Sequence, residues 1–240
     1  MRPTILIMRR ELAAYLRSMS GYIIAAIVLL VDGLLFNALA LSGEKLSSQV
    51  LSEFFFNTSG VVMVASVFIS MRLFAEERQT GTLVLLASSP VHDWQIVMGK
   101  FLSALVFLAL IVAATVFMPL LIFVNGKVSF GHMAAGYIGL LLLGSASLAI
   151  GTFGSSLART QVLAAIFSGC MIVALIVAWM LAKVTEAPLN DMFTALSLHG
   201  RHFPPFQAGT IHLRDVGYYL MVTYFALFSA TRVMEARRWR

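Results

Sequence analysis

The chain has 240 residues, of which 60% are hydrophobic and only 12% charged, with a mean hydropathy of +0.90. Soluble domains carry roughly 45–50% apolar and about 25% charged residues. A soluble enzyme or binding domain is therefore excluded, and lipid must cover the apolar surface that one core cannot bury. The net charge of +6 does not point to nucleic acid, because the basic residues stand at the ends of apolar runs rather than on one basic, aromatic face.

In chain order, Ile5, Leu6, Met8, Leu12, Tyr15 and Leu16 recur at helical spacing, with Arg9, Arg10, Glu11 and Arg17 between them. Residues 1–19 thus read as an amphipathic helix lying flat at the inner interface, basic side toward anionic membrane lipid. A first span follows at 21–41, interrupted by Asp32 and Asn37. Ala38-Leu39-Ala40 at its end has the form of a secretory cleavage site. The long charged lead, reaching Arg17, and Asp32 inside the apolar stretch favour an uncleaved helix. Further spans read at 58–74, 101–124, 134–157, 162–182 and 216–231, giving an all-α integral membrane protein with six transmembrane helices and one domain, 1–240. The last apolar run covers about 24 Å at 1.5 Å per residue, short of the roughly 30 Å hydrocarbon core. It must thin the bilayer, recruit Arg214 or Arg232 as flanks, or pack behind its neighbours. With the N-terminus inside, twelve of the 17 Lys and Arg residues are cytoplasmic, against Lys45, Lys127, Lys183, Arg201 and Arg214 outside. The charge rule therefore puts both termini on the cytoplasmic side.

The longest cytoplasmic connection is 75–99. Glu76, Glu77 and Arg78 end the second span's helix, and Gly81 permits a break. Thr82, Leu83, Val84, Leu85, Leu86 and Ala87 then form a short, charge-free, apolar helix. Such a helix outside the bilayer wants a protein groove to fill, the alternative being a return onto its own helices. Ser89 before Pro90 reads as an N-cap with proline at the first helical position, and Asp93 suits the dipole of that first turn.

The stretch Glu77-Arg78-Gln79-Thr80-Gly81-Thr82-Leu83, with Leu85-Leu86, Ser89-Pro90-Val91 and Gly99-Lys100, resembles ABC-2 type transporter permeases. The Arg10-Glu11-Leu12 entry helix looks like that family's amphipathic elbow. His202-Phe203, Gly209-Thr210-Ile211, Leu213-Arg214-Asp215 and the terminal Arg237-Arg238-Trp239-Arg240 are similar to the compact subgroup that includes gliding-motility and copper-enzyme-maturation permeases. The resemblance covers nearly the whole chain. It implies a permease of the bacterial or archaeal inner membrane that pairs with a second permease chain, as a homodimer or heterodimer. Two separate ABC ATP-binding subunits would bind the ATP and Mg. It also implies that the helix from Thr82 to Ala87 is the coupling helix, joined to the second span through Glu76, Glu77, Arg78 and Gly81, and that residues 184–215 form an extracytoplasmic re-entrant element. No Gly-x-x-x-x-Gly-Lys-[Ser/Thr] occurs here, since Gly99-Lys100 precedes Phe101 and Gly126-Lys127 precedes Val128. The chain itself has no phosphate-cradling loop, so no cofactor is expected in it.

Three weaker signals remain. Asp32, about halfway along an apolar helix, is costly there and reads with Asn37 as part of a translocation path or dimer seam, or as a buried structural hydrogen bond. Ser147, Gly151 and Ser155 repeat every four residues, a small-xxx-small stripe for close helix packing within or between chains. His199-Gly-Arg-His202 lacks the third ligand a metal site needs, and Cys170 inside an apolar run reads as a small buried side chain. No catalytic motif is present, so the chain reads as a transport subunit and not an enzyme. The rival readings are a secondary transporter or channel using Asp32, and a non-transporting scaffold for an envelope or motility complex. The outer connections are too small to form a folded cargo-selecting domain.

Overall fold

The computed structural model describes residues 2–40, 46–82, 91–122, 129–186 and 188–238, and every regular element among them is helical. The helices are α1 (Arg2–Arg17), α2 (Met19–Leu35), which continues into a π-helical turn at Phe36–Ala40, α3 (Ser47–Ser70) and α4 (Arg72–Gln79). They continue as α5 (Asp93–Ala114), α6 (Phe117–Ile122), α7 (Phe130–Leu157), α8 (Gln161–Val184), α9 (Leu189–Leu196), α10 (Pro204–Gln207) and α11 (Leu213–Arg238). Five segments are long and apolar enough to cross a membrane: Met19–Leu39, Ser47–Gln79, Asp93–Ile122, Phe130–Leu157 and Gln161–Val184. The expected sixth span falls within α11, which is not among these five. That helix has 26 residues, about 39 Å at 1.5 Å per residue, so the shortness of its apolar run reflects polar ends and not a short helix.

Helix boundaries follow local chemistry. Only Ser18 separates α1 from α2; its Oγ accepts from the Gly21 N–H at 3.2 Å. A Cβ on Gly21 would stand 2.1 Å from the Tyr15 carbonyl oxygen, so the sharp elbow requires glycine there. The break between α5 and α6 falls at Thr115 and Val116, four residues before Pro119, where the proline ring cannot coexist with the i−4 carbonyl hydrogen bond. The helix expected to start at Pro90 begins instead at Asp93. His92 is extended there, and its N–H is taken by the Gln95 side chain at 3.3 Å. That side-chain acceptor satisfies the first orphan donor. Ser89 and Pro90 lie outside the described residues.

The centre of the bundle is α7, which packs against α3, α4, α5, α8, α10 and α11. Small residues on α7 let these helices close in. A Cβ on Gly151 would meet Ser70 Oγ at 1.9 Å, and one on Gly154 would meet Ser168 Oγ at 2.5 Å. Ser147 and Ser155 are fully buried on the same side, and Ser155 Oγ accepts from the N–H groups of Phe74 (3.1 Å) and Ala75 (3.2 Å) while donating to the Met71 carbonyl (3.2 Å). The stripe thus lies against the α3–α4 junction of its own chain. By contrast α2 and α8 are peripheral, and Tyr22, Ile23, Ile27, Leu30 and Leu34 of α2 face outward. Cys170 is exposed on α8, not buried as its apolar setting suggests, because α8 turns most of its surface away from the bundle.

At the other end of the bundle, Leu198, Phe203 and Phe206 are fully buried, and this segment is pinned from several sides. Tyr219 donates to the Leu198 carbonyl (2.9 Å), Tyr218 to the Leu196 carbonyl (2.8 Å), and His132 Nε2 lies 2.7 Å from the Gln207 carbonyl.

Candidate functional site

The charged residues of α1, α4 and α5 converge at the base of the bundle. The segment Ser47–Gln79 has 33 residues, about 50 Å of helix against a hydrocarbon core of roughly 30 Å. Its last turns therefore have length to spare beyond the apolar layer, and they carry Glu76, Glu77 and Arg78. Each of the three is held by a different partner. Glu76 takes a two-pronged contact from Arg72, at 2.8 and 3.2 Å. Glu77 Oε1 lies 2.9 Å from Lys100 Nζ of α5 and 3.7 Å from Arg10 of α1. Arg78 donates to the carbonyls of Ser156 (3.0 Å), Leu157 (3.4 Å) and Ala158 at the end of α7, where unsatisfied carbonyls and the helix dipole favour a cation.

Lys100 is the pivot. It is only 1% exposed and lies between Glu77 and Glu11, the latter at 3.4 Å. A buried ammonium is tolerable only with such partners. Two acids and two bases, Glu11, Glu77, Lys100 and Arg10, make a neutral cluster across three helices. Burial works against the charge of Glu11, yet Lys100 and Arg10 together hold its carboxyl below its usual range. The elbow helix reaches this position because Gly99 admits it: a Cβ there would stand 2.9 Å from Ile7 and 3.0 Å from the Thr4 carbonyl. Alongside, Tyr15 donates to the Ile69 carbonyl at 2.9 Å and stacks on Phe107, while Arg72 reaches Ser20 at the start of α2. A cavity of about 220 Å³ opens among Glu11, Tyr15, Arg72, Glu76, Glu77 and Thr82.

Beyond Arg78 the helix ends in a local turn. Thr80 Oγ1 donates to the Glu76 carbonyl at 3.0 Å, and Gly81 takes φ +74°, left-handed backbone that disfavours any side chain. Thr82 follows, with its Oγ1 3.4 Å from the Glu77 carbonyl. Leu83, Leu85 and Leu86, expected in the coupling helix, lie outside the described residues.

The family described as ABC-2 family transporter protein matches residues 5–230. This chain belongs to the ABC-2 transporter family. It is a multi-pass membrane protein and the permease subunit of an ABC transporter. It shows no significant similarity to any curated protein.

In this ABC-2 permease the sequence motif and the structural cluster meet at Glu76, Glu77 and Arg78, but four members are not among the residues singled out from sequence. Arg10, Glu11, Arg72 and Lys100 complete the network. Lys100 was readable as a cation heading a long apolar helix, and Glu11 as the one acid on a basic amphipathic helix; their meeting was not. Asp32 and Asn37 are not brought together, since Asp32 is buried in the bundle and Asn37 is exposed. The two histidines of the outer segment also part company. His199 Nε2 lies 2.7 Å from Ser59 Oγ, and His202 Nδ1 lies 2.7 Å from Asp215 Oδ1.

Burial pushes the His199 imidazole below its ordinary range. The folded state therefore prefers the neutral ring, and the unfolded state takes up a proton first, near its value of about 6.5. Stability from this contact is present above that value and declines as pH falls through it. Amide exchange at residues 197–207, corrected for intrinsic rate, is expected to be faster at about pH 5.5 than at about pH 7.5. His199→Gln should flatten that difference.

Proposed function

We propose that this permease is driven by ATP hydrolysis in a separate subunit and exports its substrate across, or extracts it from, the inner membrane of a bacterium or archaeon. Two copies of the ATP-binding subunit dock below a pair of permease chains, either identical or different, with all permease termini cytoplasmic. The residues that receive the stroke are Glu76, Glu77 and Arg78, acting through Gly81 and Thr82 from the apolar segment of Leu83, Leu85 and Leu86. ATP and Mg belong to the partner, and this chain performs no catalysis.

The observation that carries this reading is that three consecutive side chains immediately before the loop hold three different parts of the bundle. Glu76 braces Arg72 on its own helix, and Arg72 reaches Ser20 at the start of the first span. Glu77 holds the elbow and third span through Arg10 and Lys100, and Arg78 holds the end of the fourth span. A displacement of this short helix end is transmitted to all of them, because ion pairs and packed helices move as units and do not stretch. The re-entrant segment within 184–215, at the other end of the bundle, then serves as the lid on the outer side.

Gly81→Val tests the path. A Cβ at Gly81 meets nothing within 4 Å among the described residues, and the left-handed backbone costs a side chain about 1–2 kcal/mol. The substitution should leave the chain folded and bound to its ATPase while abolishing the transport-dependent phenotype of the host. Unchanged transport by Gly81→Val would sink the proposed path.

A further inference from the structure

Asp32 has no part in the charged cluster, yet it is the least comfortable residue in the bundle. It lies in the middle of a membrane-spanning helix and is 2% exposed. Neither carboxyl oxygen has a hydrogen-bond partner among the described residues. The hydroxyl of Thr58 on α3, 1% exposed, lies within reach of this carboxyl and is also without a hydrogen-bond partner. Ser66, Thr115 and Thr152 satisfy their buried hydroxyls on their own helix, on the carbonyls of Val62 (2.8 Å), Val112 (2.7 Å) and Leu148 (2.7 Å). Thr58 does not.

Among the described residues, the surroundings offer no cation. The titratable group that faces Asp32 from α7 is Tyr137, whose hydroxyl is 3.3 Å from Thr115 at the end of α5. Thr58 comes from α3, and Met118 of α6 packs beside Gly33, the next residue of α2. Among the described residues no Lys, Arg or His ion-pairs with Asp32. Lys100 shows how this protein buries a charge, between two carboxylates. An unpaired carboxylate in an apolar interior costs many kcal/mol and neutralises by taking up a proton.

We propose that Asp32, Thr58 and Tyr137 form a proton-binding site inside the bundle, in which Asp32 is held as the neutral acid with its O–H aimed at the Thr58 hydroxyl. The proton is bound in the closed arrangement described here. It is released when a change of state lets water or a cationic group of the cargo reach the carboxyl. Movement of the first span against the second would thereby be linked to proton release. This inference rests on the burial around Asp32 and does not depend on an ATPase.

Infrared spectroscopy of the full-length chain in lipid nanodiscs reads the site directly. At about pH 7.5, above the ordinary aspartate value of about 3.9, wild type should show a neutral-carboxyl C=O band that shifts in heavy water. The band should be lost in Asp32→Asn. Because the amide mimics the neutral acid, Asp32→Asn should also keep wild-type thermal stability. Thr58→Val should retain the band but move it to higher frequency, as its acceptor is lost. A wild-type spectrum in which every aspartate gives carboxylate bands at about pH 7.5 would overturn the proposal, as would marked destabilisation by Asp32→Asn.

Discussion

Lys100→Met is expected to be the most damaging single change in the charged cluster. It leaves the carboxylates of Glu11 and Glu77, which share the same ammonium at 3.4 and 2.9 Å, with only Arg10 between them. Breaking a buried pair by removing one partner costs about 3–5 kcal/mol, because a charge is left buried without compensation. Methionine fills the space of the lysine stem, so packing is not the cause. The check is the fraction of chain that survives heating in detergent and still elutes as a single folded species. Glu77→Gln in the same chain removes one of the two stranded charges and leaves Glu11 to Arg10, 2.7 Å away. The double variant should therefore recover most of the loss. It should nevertheless fail in transport, since the link from the second span to the third is gone. That split separates a coupling role from a merely structural one.

Gly151→Val should prevent folding altogether. The new Cβ would stand 1.9 Å from Ser70 Oγ and 2.6 Å from Ser70 Cβ, and Ser70 is itself buried in the face of α3. The Cβ of Ser70 cannot rotate away, so α3 and α7 must separate, and with them the Ser155 contacts that hold the α3–α4 junction. Overpacking a core typically costs about 1–3 kcal/mol; a helix pair forced apart along its length costs more. Extraction from membranes should yield aggregated or degraded protein, whereas Gly151→Ala combined with Ser70→Gly should restore a monodisperse peak. A folded, stable Gly151→Val chain would mean that this stripe packs elsewhere, against a second copy.

Much of the fold was legible because lipid imposes a coarse code. The apolar runs at 101–124, 134–157 and 162–182 correspond to α5–α6, α7 and α8 with small offsets. The second and last helices were read too short for one reason: hydropathy registers only what sits in hydrocarbon. Ser47–Gln79 and Leu213–Arg238 run on through polar residues such as Gln49, Glu53, Glu76 and Glu235 that a helix accepts without difficulty. The helix end at Gln79 and the left-handed Gly81 were readable from local turn chemistry. The cluster was not, because Glu11 and Lys100 lie far apart in sequence and meet only through the close approach at Gly99. Nor does Asp32's depth in a hydropathy plot say that neither oxygen finds a hydrogen-bond partner among the described residues. That depends on which faces of α3 and α7 it meets.

A partner ATPase is proposed to engage this chain through the segment following Gly81. The most direct measurement is purification of tagged chain from its native host in mild detergent, identifying every co-purifying protein, for wild type and for a variant with Leu83, Leu85 and Leu86 changed to Glu. Wild type should bring down a subunit containing a phosphate-binding loop, and the triple variant, equally abundant in the membrane, should lose it. Wild type purified at native levels without any ATP-binding subunit, or a triple variant that retains one in full, would contradict that engagement.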